Sequence, residues 1–284
     1  MIYAHIAKNC TSRCVRRYCE VLGVSRSGYY AWQSRAEPER HYADEQLKSS
    51  IRELHQGFRR AYGAPRVHQA LRRKGLSCSR RRINRLMREM GIAASTTGLY
   101  QWRPGQHAFY SGTGNQLGQS EKPTGPGQQW ASDFTYIKAH SGWIYLAVVL
   151  DLWSRKIVGW SVSRSRTAAL TTSALRMALS REPIMPGCLF HSDQGIEYAA
   201  HDMRELVESA GMLRSMSRKG TPLDNAMAES FFHTLKAELV HHRDFAHEIE
   251  ATAWIGEYLR FYNHERLHSG LGYSAPAEYE RLRA

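Results

Sequence analysis

The stretch Trp130-Ala-Ser-Asp133-Phe-Thr-Tyr-Ile137 decides the fold, because it predicts a β-strand in which one carboxylate interrupts an apolar and β-prone run. Two further strands are predicted close behind it, over Tyr145–Leu150 and Lys156–Val162. A short turn at Ser141-Gly142 separates the first two strands. This spacing is typical of an antiparallel meander.

Helices and strands alternate after the meander. The apolar patterns predict helices over 167–180, 199–210 and 224–240, and short strands over 188–191 and 213–216. Three strands followed by this alternation favour an α/β fold, in which flanking helices cover one five-stranded mixed sheet.

The whole chain has a net charge of +13, and the positive charge is concentrated in its first half. Residues 1–125 hold 22 Lys and Arg against 8 Asp and Glu, a net charge of +14, whereas residues 126–284 have a net charge of −1. Basic charge confined to one region is typical of a module that binds a polyanion such as nucleic acid.

The basic half is predicted to be all α-helical. Two short helices over 11–35, joined by a turn at Gly23, fit the helix-turn-helix pattern and place Arg26 at the start of the second helix. Further helices are predicted over 38–56, over 65–75 and from Ser77 or Ser79 to Gly91. The outer face of the last one carries a run of arginines that we expect to bind phosphate, namely Arg80, Arg81, Arg82, Arg85 and Arg88.

These patterns divide the chain into four segments. We predict a helical DNA-binding region over 1–94, a linker over 95–125 that is rich in Gly, Ser and Pro, a catalytic core over 126–240 and a C-terminal helical extension over 241–284.

Other classes of protein fit the sequence poorly. No apolar run is long enough for a membrane-spanning helix, and the N-terminus does not resemble a signal peptide. The odd number of scattered cysteines predicts reduced thiols in the cytoplasm. A zinc site formed by His5 with Cys10, Cys14 and Cys19 does not fit standard ligand spacing.

Three carboxylates are predicted to meet on one side of the sheet. Asp133 lies in the first strand, Asp193 directly follows the fourth strand, and Glu229 lies in the following helix. Carboxylate oxygens are hard ligands that suit Mg²⁺ or Mn²⁺. Two such ions can activate an attacking oxygen and stabilise a leaving oxygen at phosphorus.

Rival carboxylates exist for this site. Asp224 is better placed to cap the helix that carries Glu229, and Asp151 and Glu197 remain alternatives as ligands. His191 and Asn225 are candidates for positioning ligands or DNA.

The motifs Trp130–Ile137, His191-Ser-Asp193-Gln-Gly195 and Asp224-Asn225-Ala-Met-Ala-Glu229-Ser-Phe-Phe-His-Thr-Leu-Lys236 occur in this order, with 35 residues between Asp193 and Glu229. They resemble the DDE transposase and retroviral integrase superfamily, and most closely the second-frame (OrfB) transposases of bacterial insertion sequences. The stretches Tyr62-Gly-Ala-Pro-Arg66 and Asn263–Pro276 are similar to the accessory helix-turn-helix segment and the C-terminal end of that group.

The resemblance implies an RNase H-like core that cleaves element ends to give a 3′-hydroxyl, which then attacks another phosphodiester. It implies Asp133, Asp193 and Glu229 as the catalytic metal ligands and Lys236 as a phosphate contact. Arg266 and His268 are either DNA contacts or structural polar residues. The implied setting is bacterial, cytoplasmic and associated with the nucleoid.

The resemblance also implies partners. These are double-stranded DNA of the element ends and of the target, further copies of the same chain on DNA, and an upstream reading frame as partner or fusion. The chain shows no ATP-binding motif, and transesterification needs none. Two alternatives stay open: an RNase H-like nuclease or junction resolvase without strand transfer, and a non-catalytic DNA-binding regulator.

Overall fold

The computed structural model describes residues 2–10, 14–34, 39–97, 121–193, 195–216 and 226–283. The chain forms two compact units, which divide between Glu53 and Leu54. Six helices precede the sheet in the described part of the chain. They are α1 (Ile2–Asn9), α2 (Val15–Val21), α3 (Arg26–Gln33), α4 (Glu39–Gly57), α5 (Ala64–Arg73) and α6 (Arg80–Glu89).

The first unit contains the predicted pair of short helices, α2 and α3. The turn between them includes Gly23, whose φ of 65° favours glycine, and Ser25 caps α3 by accepting a hydrogen bond from the Gly28 backbone N–H at 3.2 Å. Helix α1, which the sequence did not predict, contributes Ile6 to the small apolar core of this unit. The core residues are Ile6, Val15, Cys19 and Tyr29.

Helices α5 and α6 form a second pair at the start of the larger unit. Pro65 lies in the first turn of α5, where its missing N–H is tolerated, and Ser79 caps α6 by accepting from the Arg82 backbone N–H at 3.2 Å. The two helices bury one apolar face each and contact one another. The buried residues are Val67, Ala70, Leu71, Ile83, Leu86 and Met87.

The predicted five-stranded mixed sheet is confirmed. Its strands are β1 (Gln129–Ala139), β2 (Gly142–Asp151), β3 (Ile157–Ser163), β4 (Leu189–Ser192) and β5 (Leu213–Met216), in the spatial order β3-β2-β1-β4-β5. The meander of β1, β2 and β3 is antiparallel, while β4 lies parallel to both β1 and β5. Parallel pairing of β1 with β4 is the feature that builds the site.

Helices cover both faces of the sheet. They are α7 (Ala168–Arg181), α8 (Ile196–Ala199), α9 (His201–Ser209), α10 (Ala226–Glu238), α11 (Glu248–His264) and α12 (Pro276–Arg283), with single 3₁₀ turns at Val240–His242 and Ser269–Leu271. Side chains alternate between faces along β1. Ala131 and Ile137 pack in the core shared with α10 and α11, and Trp130 packs on the opposite face with α7 and α9.

The α5–α6 region docks onto the C-terminal part of the same unit. Tyr62 is fully buried, and its hydroxyl accepts a hydrogen bond from the Leu267 backbone N–H at 2.7 Å. Arg66 donates to the Leu267 carbonyl at 3.1 Å, and Arg73 forms an ion pair with Glu278 at 2.8 Å. Two stretches about 200 residues apart in sequence are therefore held together by direct contacts.

Two further properties concern the chain as a whole. None of its five cysteines, all of which lie in the described ranges, forms a disulfide bond. Within the described ranges, the longest and most apolar helices still fall short of what crossing a bilayer requires. The core is therefore held by apolar packing and buried hydrogen bonds.

Candidate active site

The pairing of β1 with β4 brings Asp133 and Asp193 to neighbouring positions. Ser132 and Ser192 are the last residues paired between these two parallel strands, and each aspartate is the next residue in its strand direction. Adjacent strands lie about 4.8 Å apart, so the two carboxylates stand side by side at the point where the pairing of β4 with β1 stops. Both side chains are partly buried.

Glu229 approaches from α10, which contacts β1. Asp133 has the same parity along β1 as Ala131 and Ile137, and it therefore lies on the sheet face that packs against α10. Glu229 is in the first turn of that helix. The three carboxylates thus come from two strands and one helix, and the charges of Asp193 and Glu229 both act on Asp133.

The electrostatics of Asp133 reflect this convergence. Burial is the main reason that the pKa of its carboxyl is raised to about 7, and the negative charges of Asp193 and Glu229 contribute in the same direction, against the opposing effects of the Phe134 N–H and of Lys236. The Phe134 backbone N–H donates to Asp133 Oδ1 at 2.8 Å. Desolvation also raises the pKa of Glu229. A carboxylate in this position is stabilised by positive charge placed next to it.

The donor set therefore fits a divalent cation, although the side chains are not yet gathered around one point. Within the described ranges, no group of three His, Cys, Asp or Glu side chains is close enough to hold a metal ion. Asp193 is oriented by its own loop, in which the Gly195 N–H donates to Asp193 Oδ1 at 3.0 Å.

Lys236 lies on the same side of α10 as Glu229, about 10.5 Å further along the helix axis. Burial lowers the pKa of its ammonium, and the negative charge of Asp133 opposes that shift. Its Nζ lies 5.0 Å from the centre of the Tyr136 ring. Lys236 therefore lies close enough to the carboxylates for its charge to act on Asp133.

The rival carboxylates have structural roles where they are described. Asp151 is 1% exposed and accepts hydrogen bonds from the Gly127 N–H at 2.8 Å and from Trp130 Nε1 at 3.2 Å, which ties the start of β1 to the end of β2. Glu197 forms an ion pair with Arg166. Asp224, the third rival, lies outside the described residues.

The two candidate supporting residues differ in what is described of them. His191 is fully buried on β4, and its Nδ1 forms a hydrogen bond with Ser215 Oγ on β5 at 2.9 Å. That bond holds β4 against β5 two residues before Asp193, so the position of His191 is that of a support for the strand. Asn225 lies outside the described residues.

The prediction that Arg266 contacts DNA is wrong, because its side chain is only 4% exposed and is committed to a buried ion pair. Its guanidinium donates to both carboxylate oxygens of Glu238 at 2.7–3.1 Å, and the Tyr258 hydroxyl donates to the same carboxylate at 3.0 Å. Burial alone would lower the pKa of Arg266, but the bonds to Glu238 and its charge raise it. His268 is half-buried, and its ring lies 6.1 Å from that of Tyr262.

The predicted DNA-binding arginines lie on exposed helical surfaces. Arg26 is exposed in the first turn of α3. Arg80, Arg81 and Arg85 are exposed on α6, opposite the face that packs against α5, and Arg82 is half-buried. Arg85 also pairs with Glu89 at 2.5 Å.

Two groups of residues escaped the sequence analysis. Glu238 ends the helix that carries Glu229, but nothing in its local pattern announces a buried partner 28 positions later. Tyr136 lay inside the first predicted strand and Trp143 just before the second one, so neither was singled out, although both are more than half exposed. The available signal was the position of two large aromatic residues on either side of the Ser141-Gly142 turn.

The sheet order, with one carboxylate within β1, a second directly after the parallel strand β4 and a third on a packed helix, defines an integrase-type catalytic core. Two families described as Integrase core domain match residues 123–222 and 210–276, and an HTH-like domain family matches residues 41–98. The fold is similar to a chain of a simian T-cell lymphotropic virus intasome, with a TM-score of 0.50, 14% identity and coverage of 81% of this chain and 74% of that one.

Relatives of nearly equal length give the family. An uncharacterized 31 kDa protein of insertion element IS600 from Shigella sonnei is 38% identical, over 92% of this chain and 96% of its own length. The InsF transposase of insertion sequence IS3A from Escherichia coli is 34% identical, over 99% of this chain and 98% of its own length. The chain belongs to the family of insertion-sequence transposases, enzymes that cleave DNA and transfer its strands.

Proposed function

We propose that Asp133, Asp193 and Glu229 are the residues with which this transposase cleaves the ends of its element and joins them to target DNA. The observation that carries the proposal is the pairing of β1 with β4, which places Asp133 and Asp193 side by side directly after the last paired residues, with α10 packed against β1. The raised pKa of Asp133, caused by burial and by the negative charges of Asp193 and Glu229, supports it, because a bound cation would offset both effects.

The proposed cofactors are two Mg²⁺ or Mn²⁺ ions held by these three carboxylates. Carboxylate oxygens from three separate elements leave open positions for water and phosphate oxygens, as phosphoryl-transfer sites require. When bound, such ions activate the attacking oxygen and offset the charge that develops at phosphorus. Asp133 gains most from a neighbouring cation, since its pKa of about 7 leaves it partly protonated at neutral pH.

The remaining residues of the site act on DNA in this proposal. The ammonium of Lys236 lies beside the carboxylates and binds a phosphate of the terminal DNA as a point charge. In the first step water attacks a phosphodiester at the element end and releases a 3′-hydroxyl. In the second step that hydroxyl attacks a target phosphodiester, so that one P–O bond forms as another breaks.

Binding of the element ends is assigned to the basic helices, in particular Arg26 and the exposed arginines of α6. We keep the division into a DNA-binding region (1–94), a linker (95–125), a core (126–240) and an extension (241–284) as a prediction. Assembly of several copies on DNA, association with the nucleoid and an upstream-frame partner or fusion belong to the same proposal.

The experiment replaces each carboxylate by its amide, with Asp133→Asn, Asp193→Asn and Glu229→Gln tested separately on a DNA duplex that carries one element end. Each variant should lose at least about a thousand-fold in cleavage rate, because several kcal/mol of transition-state stabilisation disappear. End binding should stay within about two-fold, since the amides keep the side-chain shape and the basic helices are unchanged.

Exposed carboxylates of α9 provide matched controls. Asp202→Asn and Glu208→Gln make the same chemical changes at positions without contact to the site, and both should cleave like the wild type. A single active-site variant that retains near-normal cleavage in Mg²⁺ would remove that residue from the proposed set.

A further inference from the structure

Two large aromatic side chains stand exposed beside the candidate active site. Tyr136 on β1 is 58% exposed and Trp143 on β2 is 52% exposed. Their ring centres lie 5.2 Å apart with the planes at 86°, which is an edge-to-face contact. Packing of the fold does not account for the exposure of this pair, because more than half of each side chain is accessible to solvent.

The sheet topology explains why the pair is uncovered. Strand β4 pairs with β1 only over residues 129–132, whereas β1 and β2 continue as a hairpin to Ala139 and Gly142. Lys138 pairs with Trp143 and Tyr136 with Tyr145, so these side chains share one face of the hairpin. The end of the hairpin therefore lies beyond the region in which β4 pairs with β1.

The pair borders a groove of about 860 Å³ between the hairpin and the turn that follows α10. That volume falls in the range of roughly 300–1,000 Å³ that is usual for sites that hold small ligands. Basic side chains dominate the charge of its walls, with Asp244 as the acidic exception. The basic residues are Lys138, His140, Lys236, His241, His242 and Arg243.

Lys236 links the groove to the carboxylates. Its Nζ lies 5.0 Å from the centre of the Tyr136 ring, and its charge also acts on Asp133. Tyr136 lies three residues beyond Asp133, about 10 Å along β1, and its side chain therefore leaves the sheet on the opposite face. Lys236 interacts with both residues, so a polynucleotide strand that passes Lys236 can reach the groove from the carboxylates within two or three nucleotides.

We propose that this groove binds unpaired nucleotides of the DNA strand that leaves the active site, with bases stacked on Tyr136 or Trp143 and phosphates beside the basic walls. Exposed aromatic rings in a positively charged groove are the features that bind single strands without sequence preference. In a duplex both faces of each base are covered by its neighbours, so only an unpaired base can occupy these rings. The role at the reacting strand rests on the proposed function.

The experiment measures binding of a fluorescent eight-nucleotide oligo-dT to the full-length protein by anisotropy, in EDTA so that no reaction occurs. An abasic strand of equal length and charge is measured beside it, because it keeps the phosphates and removes the stacking partners. The wild type should prefer oligo-dT to the abasic strand, and Tyr136→Ala or Trp143→Ala should weaken oligo-dT binding by roughly five- to a hundred-fold while leaving abasic binding nearly unchanged.

Leu213→Ala is the control, because Leu213 is a large apolar side chain that is 59% exposed on β5 and does not line the groove. It should leave the preference for oligo-dT intact. Trp143→Phe keeps an aromatic ring and should restore most of the binding, which separates stacking from a folding defect. Photocrosslinking with 5-iododeoxyuridine in place of one thymidine should label the peptide that contains Tyr136 and Trp143.

Several results would overturn the proposal. They are equal wild-type affinity for oligo-dT and the abasic strand, unchanged binding by Tyr136→Ala and Trp143→Ala, or crosslinks confined to other peptides. Tighter binding of oligo-U of the same length would assign the groove to RNA instead. Since the assay needs no catalysis, failure of Asp133→Asn to abolish cleavage would refute the proposed active site alone and leave the groove standing.

Discussion

Truncating Arg266 should destabilise the protein and leave the affinity of the protein for DNA unchanged. In the folded chain the guanidinium of Arg266 and the carboxylate of Glu238 are 4% and 3% exposed, and three contacts of 2.7–3.1 Å join them. Arg266→Met removes the cation and keeps much of the apolar volume. The carboxylate of Glu238 then remains buried with the Tyr258 hydroxyl as its described partner.

The size of the effect follows from the burial of the pair. Removing one partner of a buried ion pair usually costs about 3–5 kcal/mol, because an uncompensated charge stays in the interior. Removing both charges with Arg266→Met and Glu238→Met together should be much less harmful, within about 1–2 kcal/mol of the wild type. The double variant should thus be more stable than the single one.

Urea unfolding followed by circular dichroism measures these differences, with the midpoint and slope fitted for each variant. Arg164→Ala is the surface control, since Arg164 pairs with Glu248 at 3.1 Å but is 60% exposed, and its loss should change stability by less than about 1 kcal/mol. Affinity for an element end, measured below the unfolding transition, should be unchanged in Arg266→Met. A destabilisation of under about 1 kcal/mol, or a tenfold loss of DNA affinity in a folded variant, would refute the structural role assigned to this pair.

Three other perturbations test separate parts of the molecule. Lys236→Glu should reduce strand transfer from a pre-cleaved end at least tenfold while Mn²⁺ affinity persists. Lys236→Arg should retain appreciable activity because the positive charge remains. If Lys236→Glu transfers strands as the wild type does, Lys236 is a surface residue without a role in DNA binding. Burial lowers the pKa of His268 to about 4, so the unfolded protein binds a proton at this residue at higher pH than the folded protein does. The free energy of unfolding should therefore fall as pH drops from 6.5 towards 4, by about 2 kcal/mol after allowing for partial exposure. His268→Gln should flatten that part of the urea stability profile, and an unchanged profile would contradict the assignment. Arg81→Ala should lower the slope of log affinity against log salt by about 0.9, and an unchanged slope would place Arg81 off the phosphates.

The central part of the site was predictable from sequence because it depends on local pattern. A carboxylate inside a β-prone run marked Asp133, and a carboxylate directly after a short apolar strand marked Asp193. Parallel pairing of the two strands then follows from the order of elements. The helix that carries Glu229 was equally visible from its apolar spacing.

Tertiary partners were not predictable in the same way. Arg266 was interpreted as either a DNA contact or a structural polar residue, because its partner Glu238 lies on another helix and neither local pattern specifies the pair. The Tyr62-to-Arg66 stretch was noted for its resemblance to an accessory helix-turn-helix segment, and its binding to the backbone at Leu267 was not predicted. Such contacts depend on how helices cross, which periodicity in one helix does not encode.

The docking of the α5–α6 region onto residues 265–278 fixes distances within the larger unit. The helix that presents the arginines and the strands that present the carboxylates belong to one compact unit, and hydrogen bonds to Leu267 hold their separation. In the proposed function, in which α6 binds the element end, side chains of the fold then set the spacing between the bound DNA sequence and the cleaved bond. Arg66→Ala, which removes one of these contacts, should therefore make the position of the cut less uniform, as sequencing of the cleaved ends would measure.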